Sequence, residues 1–218
     1  MKKLWSTSSV TPAGTIGPSR HGPNRMPSAH DGRFEKKILR ANVLIQKALR
    51  KHKTPVVACS FGKHSMVVLH LVRQQLPNIK VIWNNTGVEY PDTYNFVRRI
   101  REEWTLQVIE ARPTTTFWNI VDQNGFSIHP RNATWELQRA STECCRQLKK
   151  KPTMKVLREV GCDLYFTGLT QYESSLRRMS ARKYGKYFYS VKWKHWKCHP
   201  ILDWTTGLGV PQDVSDSA

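Results

Sequence analysis

The chain is predicted to be an α/β protein, a parallel sheet with helices on both faces. Short β-type runs alternate with segments of helical periodicity, which is the pattern of βαβ units with right-handed crossovers. The 218 residues are 39% hydrophobic and 10% aromatic, enough for one sizeable core. The first apolar run also passes through one glycine-centred turn into a helical pattern, ACSFGKHSMVVLHLV over 58–72. Ligands of such sheets sit at the carboxyl ends of the strands.

Residues 1–32 are rich in Ser, Pro, Gly and His, with almost no large apolar side chains. They bury too little surface to offset the entropy of ordering, so a disordered leader is expected there. From Arg33 to Lys53, Phe34, Ile38, Ala41, Ile45 and Leu49 recur near helical spacing with Lys and Arg opposite, an amphipathic basic helix. Strands are expected at PVVACS (55–60), KVIWNNT (80–86), TLQVIEA (105–111) and DLYFTGL (163–169). SMVVLHLVRQQL, DTYNFVRRIREEW and KKPTMKVLREV read as the intervening helices. KYFYSVKWK (186–194) reads as a strand or hairpin, and HPILDWTT completes a domain spanning 33–206. The polar end 207–218 reads as an irregular tail, and no internal repeat is present.

Lys and Arg number 35 against 16 Asp and Glu, a formal charge of +19 that attracts polyanions. Residues 177–197 carry eight Lys/Arg, no acid and six aromatics. That composition suits nucleic acid, and a solvated basic hairpin is the plainer alternative. No stretch approaches the roughly 18–20 apolar residues of a membrane span, and no apolar signal core follows the N-terminal lysines, so a soluble cytoplasmic protein is expected. An odd count of five cysteines suits a reducing compartment.

The segment Ser60-Phe61-Gly62-Lys63-His64-Ser65 lies where the first strand meets a helix. Free backbone N–H groups and the helix dipole face an anion at such a junction. Gly62 lets the backbone approach, while Lys63 and the hydroxyls of Ser60 and Ser65 add donors. The spacing is not that of a Walker A loop, and an ordinary strand-to-helix turn is an equal alternative on this loop alone.

Four further stretches bring a resemblance into view. The loop resembles the modified PP-loop, Ser-x-Gly-x-Asp-Ser, of the phosphoadenosine phosphosulfate (PAPS) reductase family within the Rossmann-like adenine nucleotide alpha-hydrolase superfamily. NNTGVEYPDT (84–93) resembles that family's Asp-Thr-Gly segment, with Asn85 at the acidic position. CCRQLKKKP (144–152) is similar to Cys-Cys-x-x-Arg-Lys-x-x-Pro, with Leu148 for the arginine. TGLTQYESSLRR (167–178) is similar to Thr-Gly-x-Arg-x-x-Glu-Ser-x-x-Arg, with Thr170 for the first arginine, and PILDWTT (200–206) resembles Pro-Ile-x-x-Trp-Thr. Ordered agreement of five weak motifs is much stronger than any one.

The resemblance implies an adenine nucleotide, PAPS, adenosine phosphosulfate (APS) or ATP, with its phosphates on residues 60–65. Base and ribose would lie near Thr86 and Gly87. Lys149, Gly168, Arg177 and Arg178 would surround the sulfate or phosphate end, where guanidinium groups pair with oxyanions. For the two arginines a solvated helix face is the alternative. Glu173 either orients an arginine or caps the following helix, and capping is favoured. His64 stands where ATP-cleaving relatives have an aspartate that helps hold magnesium. Mg²⁺ prefers oxygen ligands, so metal-assisted cleavage is weakened, though Mg²⁺ with ATP stays an option. An anion contact or a turn cap suits His64 better, and no metal ligand set is assigned.

Reductases of the family attack the sulfonucleotide with a C-terminal cysteine, and no cysteine follows Cys198. Cys144 and Cys145 are then the best catalytic thiols, and if exposed they would have thiolate pKa values lowered by nearby Arg146 and Lys149 to Lys151. A [4Fe-4S] cluster is not expected: Cys198 offers a third ligand, Cys162 reads as core, and four thiolates are usual. The expected function is therefore sulfonucleotide reduction or a related sulfur transfer, with a thiol electron donor. ATP-dependent sulfur modification of nucleic acid held by 177–197 is one alternative, and a catalytically silent nucleotide-binding module is another. Homo-oligomers are compatible with the class.

Overall fold

The computed structural model describes residues 32–126 and 143–205. Apart from Gly32, the expected leader lies outside them, as do Thr206 and the expected tail. Helix α1 (Gly32–Leu49) places Ala41, Ile45 and Ala48 in the core, the periodicity read above. Then β1 (Pro55–Ala58), α2 (Lys63–Arg73), β2 (Lys80–Asn84), α3 (Pro91–Glu103), β3 (Gln107–Ala111) and α4 (Phe117–Asn124) follow in alternation. A wide π-type turn, Arg146–Lys150, runs into α5 (Lys151–Glu159), followed by β4 (Leu164–Thr167) and α6 (Ser175–Tyr184). β5 (Tyr187–Ser190) and β6 (His195–Cys198) close the described chain.

The six strands lie in the order β3-β2-β1-β4-β6-β5. All neighbours are parallel except the terminal pair, β5 with β6. The chain moves outward from β1 to β3, then returns to the other side of β1 at β4. The carboxyl ends of β1 and β4 therefore border the switch-point crevice where ligands of open α/β sheets bind.

Both faces are covered, as expected. On one, α1, α2 and α3 bury Ile45, Val68, Val72 and Ile100 against Val57, Val81 and Phe166. On the other, Val156 and Leu157 of α5 pack on Val56, Ile82 and Tyr165. The segment 186–194, read as a strand or hairpin, holds β5 and the turn after it, and β6 uses His195–Cys198, to which the sequence assigns no element. Its side chains face two ways, Trp196 stacking on Tyr187 at 4.8 Å while His195 packs with Tyr165 at 5.6 Å. Helix α4 was not among the expected helices, although Phe117, Ile120 and Val121 recur at helical spacing over its two turns; Thr116 caps it by accepting from the Asn119 N–H at 3.2 Å.

Asp163 ties the entry to the sheet together. Its carboxylate accepts from the N–H groups of Lys53 (2.8 Å) and Thr54 (3.0 Å), joining the turn before β1 to the start of β4. Phe166, fully buried in β4, is the largest side chain closing the core beneath the crevice. Phe166→Ala is expected to cost about 3–5 kcal/mol in urea denaturation, through lost burial and the cavity left behind.

Candidate functional site

The crevice begins where β1 ends. The Cys59 N–H still pairs with the Ile82 carbonyl at 3.0 Å, and Phe61 then turns the chain with φ of 57°. A non-glycine residue in that region is strained and must be held. Its buried ring packs edge-on against Trp83 at 6.0 Å and Phe96 at 6.4 Å, supplying the hold. Phe61 therefore serves the loop through packing and backbone shape.

Gly62 is the N-cap of α2, with no side-chain cap bond. Ser65 reaches back: its hydroxyl donates to the Gly62 carbonyl at 2.8 Å and accepts from the Ser60 N–H at 3.2 Å. Its one proton is spent inside the turn, which corrects the expectation that Ser65 offers a donor to ligand. With that proton on Gly62, the Ser60 hydroxyl donates to Ser65 Oγ at 3.2 Å, and the outward donors are the Lys63 ammonium and the first-turn N–H groups of Lys63 and His64, which have no acceptor within the helix.

Gly168, just past β4, lies against this turn from across the switch point. A Cβ there would stand 2.6 Å from the His64 carbonyl carbon and oxygen and from the Ser65 nitrogen. Only glycine permits that approach. Beyond it, Ser174 is the N-cap of α6, accepting from the Arg177 N–H at 3.2 Å. The capping role favoured for Glu173 is thus taken by its neighbour. The Glu173 carboxylate instead pairs with the Arg177 guanidinium, accepts from the Thr170 hydroxyl at 3.0 Å, and sits 3.3 Å from His64 Nδ1. Burial, then the charges of Lys63 and Arg177, hold the His64 pKa below its ordinary value. A neutral imidazole donating from Nδ1 fits that contact.

These residues border a cleft of about 530 Å³ floored by Ala58, Ile82 and Asn84. Of the residues named from sequence, Ser60, Gly62, Lys63, His64, Ser65, Gly168, Glu173 and Arg177 line it. Thr86 and Gly87 line a separate cleft of about 550 Å³ with Tyr94, Arg112 and Trp118. Lys149 and Arg178 line neither, the first contributing its carbonyl to the Thr153 hydroxyl at 2.7 Å. Sequence reasoning missed Thr167, Phe188, Lys197 and His199, which form the remaining wall. Phe188 lies in β5, within the segment read as a strand or hairpin, Lys197 lies in β6, and His199 directly follows it. His199 is 7% exposed and its Nδ1 lies 2.7 Å from the Thr167 hydroxyl.

The cysteines do not gather at this cleft. Cys59 borders it, but burial pushes its thiol to about 11, and its sulfur accepts from the Phe61 N–H at 3.4 Å. The Cys144 pKa is raised, because burial and the adjoining Cys145 outweigh Lys149. Cys144 is only part-exposed, so the exposure on which its expected lowering depended is not met, and the nearby Arg146 is paired with Glu143 at 2.6 Å. Cys145 is the exposed member of the pair. Cys198 is buried on one sheet face and Cys162 packs on the other. That arrangement does not fit a four-thiolate iron–sulfur site.

A mostly parallel sheet with a glycine-centred turn at its switch point defines an open α/β fold. Residues 54–208 match the phosphoadenosine phosphosulfate reductase domain, and the chain belongs to that family. It is 30% identical over 152 residues to a phosphoadenosine 5′-phosphosulfate reductase of Alkalilimnicola ehrlichii, covering 69% of this chain and 56% of that protein. It is also 30% identical over 161 residues to an adenosine 5′-phosphosulfate reductase of Bacillus cereus, covering 72% and 62%. The chain thus spans less than two thirds of either relative. Among solved structures, the PAPS reductase of Candida auris in a phosphate complex superposes with a TM-score of 0.57 at 14% identity, over 87% of this chain and 86% of that one. The U34-tRNA thiolase NcsA of Methanococcus maripaludis gives 0.57 at 16%, over 86% and 65%.

Gly168→Ala is expected to destabilise by about 1–3 kcal/mol in chemical denaturation, because backbone must move to admit one methyl group. Gly62→Ala, whose Cβ would lie 3.6 Å from Ser60 Oγ, should cost no more than about 1 kcal/mol. A pH dependence follows from His199, pushed by burial and then by Lys197 from 6.5 to about 4. The unfolded chain takes up that proton first as pH falls. Stability is therefore present above pH 6.5 and lost down to about 4, by on the order of 3 kcal/mol. In denaturation midpoints measured across this range, His199→Gln should show a shallower loss than wild type.

Proposed function

We propose that the cleft binds an adenine sulfonucleotide, with its phosphosulfate on the 60–65 turn, and that the chain serves sulfonucleotide reduction. The observation that carries this reading is the contact of Gly168 with the turn: it sets Arg177 across from the free N–H groups, so donors converge from both sides of the switch point. In the proposed reaction a thiolate attacks the sulfate sulfur, a sulfur–sulfur bond forms, and the sulfur–oxygen bond to the nucleotide breaks. The departing phosphate keeps the electron pair, and its charge is met by the turn. A second thiol then displaces sulfite and leaves a disulfide, so two thiols are oxidised as the sulfate group is reduced. Exposed Cys145 is the better attacking thiol of the adjacent pair, with a thiol partner as electron donor. The cleft's one carboxylate among the described residues, Glu173, is engaged by Arg177, which favours metal-independent binding over Mg²⁺–ATP.

Calorimetric titration with ATP, APS and PAPS, with and without Mg²⁺, tests the binding step. Expected is metal-independent binding of a sulfonucleotide that Gly62→Asp abolishes, since a carboxylate at the helix start repels the anion. Absence of binding by all three nucleotides would sink the reading. Single-turnover sulfite release in the presence of a dithiol should fall at least about tenfold in Cys145→Ser if that thiol attacks.

One feature favours a second reading, sulfur modification of nucleic acid. Helix α6 buries no residue and exposes Arg178, Arg182 and Lys183, with Tyr184 stacked on Phe188 at 4.9 Å. The thiolase named above shares the fold. RNA binding whose affinity falls steeply with salt, and weakens in an Arg178/Arg182/Lys183 triple alanine variant, would support it.

A further inference from the structure

The hairpin wall of the cleft carries a cation that the loop does not explain. Lys197 of β6 pairs directly with Phe188 of β5 and with Tyr165 of β4. Phe188 and Lys197 both face the cleft, as directly opposed residues of neighbouring strands share a face. The Lys197 ammonium stands 4.3 Å from the centre of the Trp193 ring, so a cation–π contact holds it in place.

Among the described residues this ammonium has no counter-ion. No described carboxylate lies within 4.0 Å of it. Glu173, on the α6 side of the cleft, is committed to Arg177, Thr170 and His64. Burial, then the neighbouring Lys192, lowers the Lys197 pKa to about 8, the direction expected of an ammonium short of both water and an anion. Taking an unpaired charge partly out of water is costly, and lining a cleft that already faces an anion with its opposite side gives that cost a use. Thr167 and His199 lie on the same wall and offer only neutral hydrogen-bonding groups at pH 7, since His199 titrates near 4.

We propose that Lys197 is a second anion contact, so that the cleft selects adenine nucleotides bearing an anionic group beyond the one seated on the 60–65 turn. This rests on the nucleotide reading and deepens it. The second group is either the outer end of a 5′ chain or a phosphate on the ribose. Both are recognised by the same chemistry, an ammonium presented from a fixed position, and differ only in which ligand meets it.

Calorimetry at pH 7 with AMP, ADP and adenosine 3′,5′-bisphosphate, on wild type, Lys197→Met and Lys197→Arg, separates the cases. Methionine keeps the apolar stem against Trp193, and the AMP arm reports whether the cleft is still formed. Expected is AMP affinity within about twofold in all three proteins, with a loss of about tenfold or more for ADP or the bisphosphate in Lys197→Met, largely restored by arginine. The ligand that suffers identifies the 5′ chain or the ribose as the source. Equal losses for AMP and both two-anion ligands would assign Lys197 a structural role and overturn the proposal, as would unchanged binding of every ligand. If wild type binds none of these three and none of ATP, APS and PAPS, the nucleotide reading fails and the proposal fails with it; if wild type binds a nucleotide and Lys197→Met does not discriminate, only the proposal fails.

Discussion

A backbone-to-backbone contact at the switch point organises this protein: Gly168 pressed against the first turn of α2, with space for a hydrogen and not for a methyl group. Strand order makes the contact possible, because β1 and β4 are neighbours and their carboxyl ends open side by side. From it follows the placement of the segment after β4. Thr170 is buried and binds the Glu173 carboxylate, Glu173 holds Arg177, and the guanidinium reaches the cleft from a helix that buries nothing of its own. Helix α6 is thus positioned by its first residues and leaves a basic outer face free.

The turn across from Gly168 is held by an economy of local groups. Phe61 accepts a strained backbone because Trp83 and Phe96 enclose its ring. Ser65 closes the turn with both its donor and its acceptor. Holding the turn from behind leaves the first-turn N–H groups facing outward, where an anion gains most from fixed dipoles. The surrounding charges show the same logic. His64, His199 and Lys197 are all shifted toward their neutral forms by burial near other cations. A cleft so poor in acid is prepared for a ligand that brings negative charge.

The thiols are separated from this electrostatic machinery. Cys59, Cys162 and Cys198 are packing residues whose thiols burial holds protonated, at about 11, 12 and 12. The pair at 144 and 145 stands at the entry to the π-type turn, away from the cleft's lining. In the proposed reaction, binding and redox chemistry would be carried by different elements, and a thiol has to be brought to the nucleotide.

Much of the architecture was legible in the residues. Alternating apolar runs and helical stripes identified β1 to β4 and the helices α2, α3 and α5 among them, because periodicity is a local record of which face is buried. The glycine-centred turn and the Thr-Gly segment were readable as parts of one family pattern. The hairpin's second strand escapes this reading because KYFYSVKWK is aromatic and basic throughout, so nothing local marks where one strand ends; the antiparallel register puts the second strand at His195–Cys198. Thr86, Gly87 and Lys149 belong to motifs of the same family, yet they fall outside the loop cleft, since motif order does not encode distance. The amino-acid sequence by itself determined the fold class, the family and the location of the glycine-centred turn between β1 and α2, all of which rest on short-range spacing. Tertiary structure alone decided that Gly168 backs that turn, that Ser65 serves it internally, and that Lys197 and His199 complete the cleft, because those roles depend on strand order and register joining distant parts of the chain.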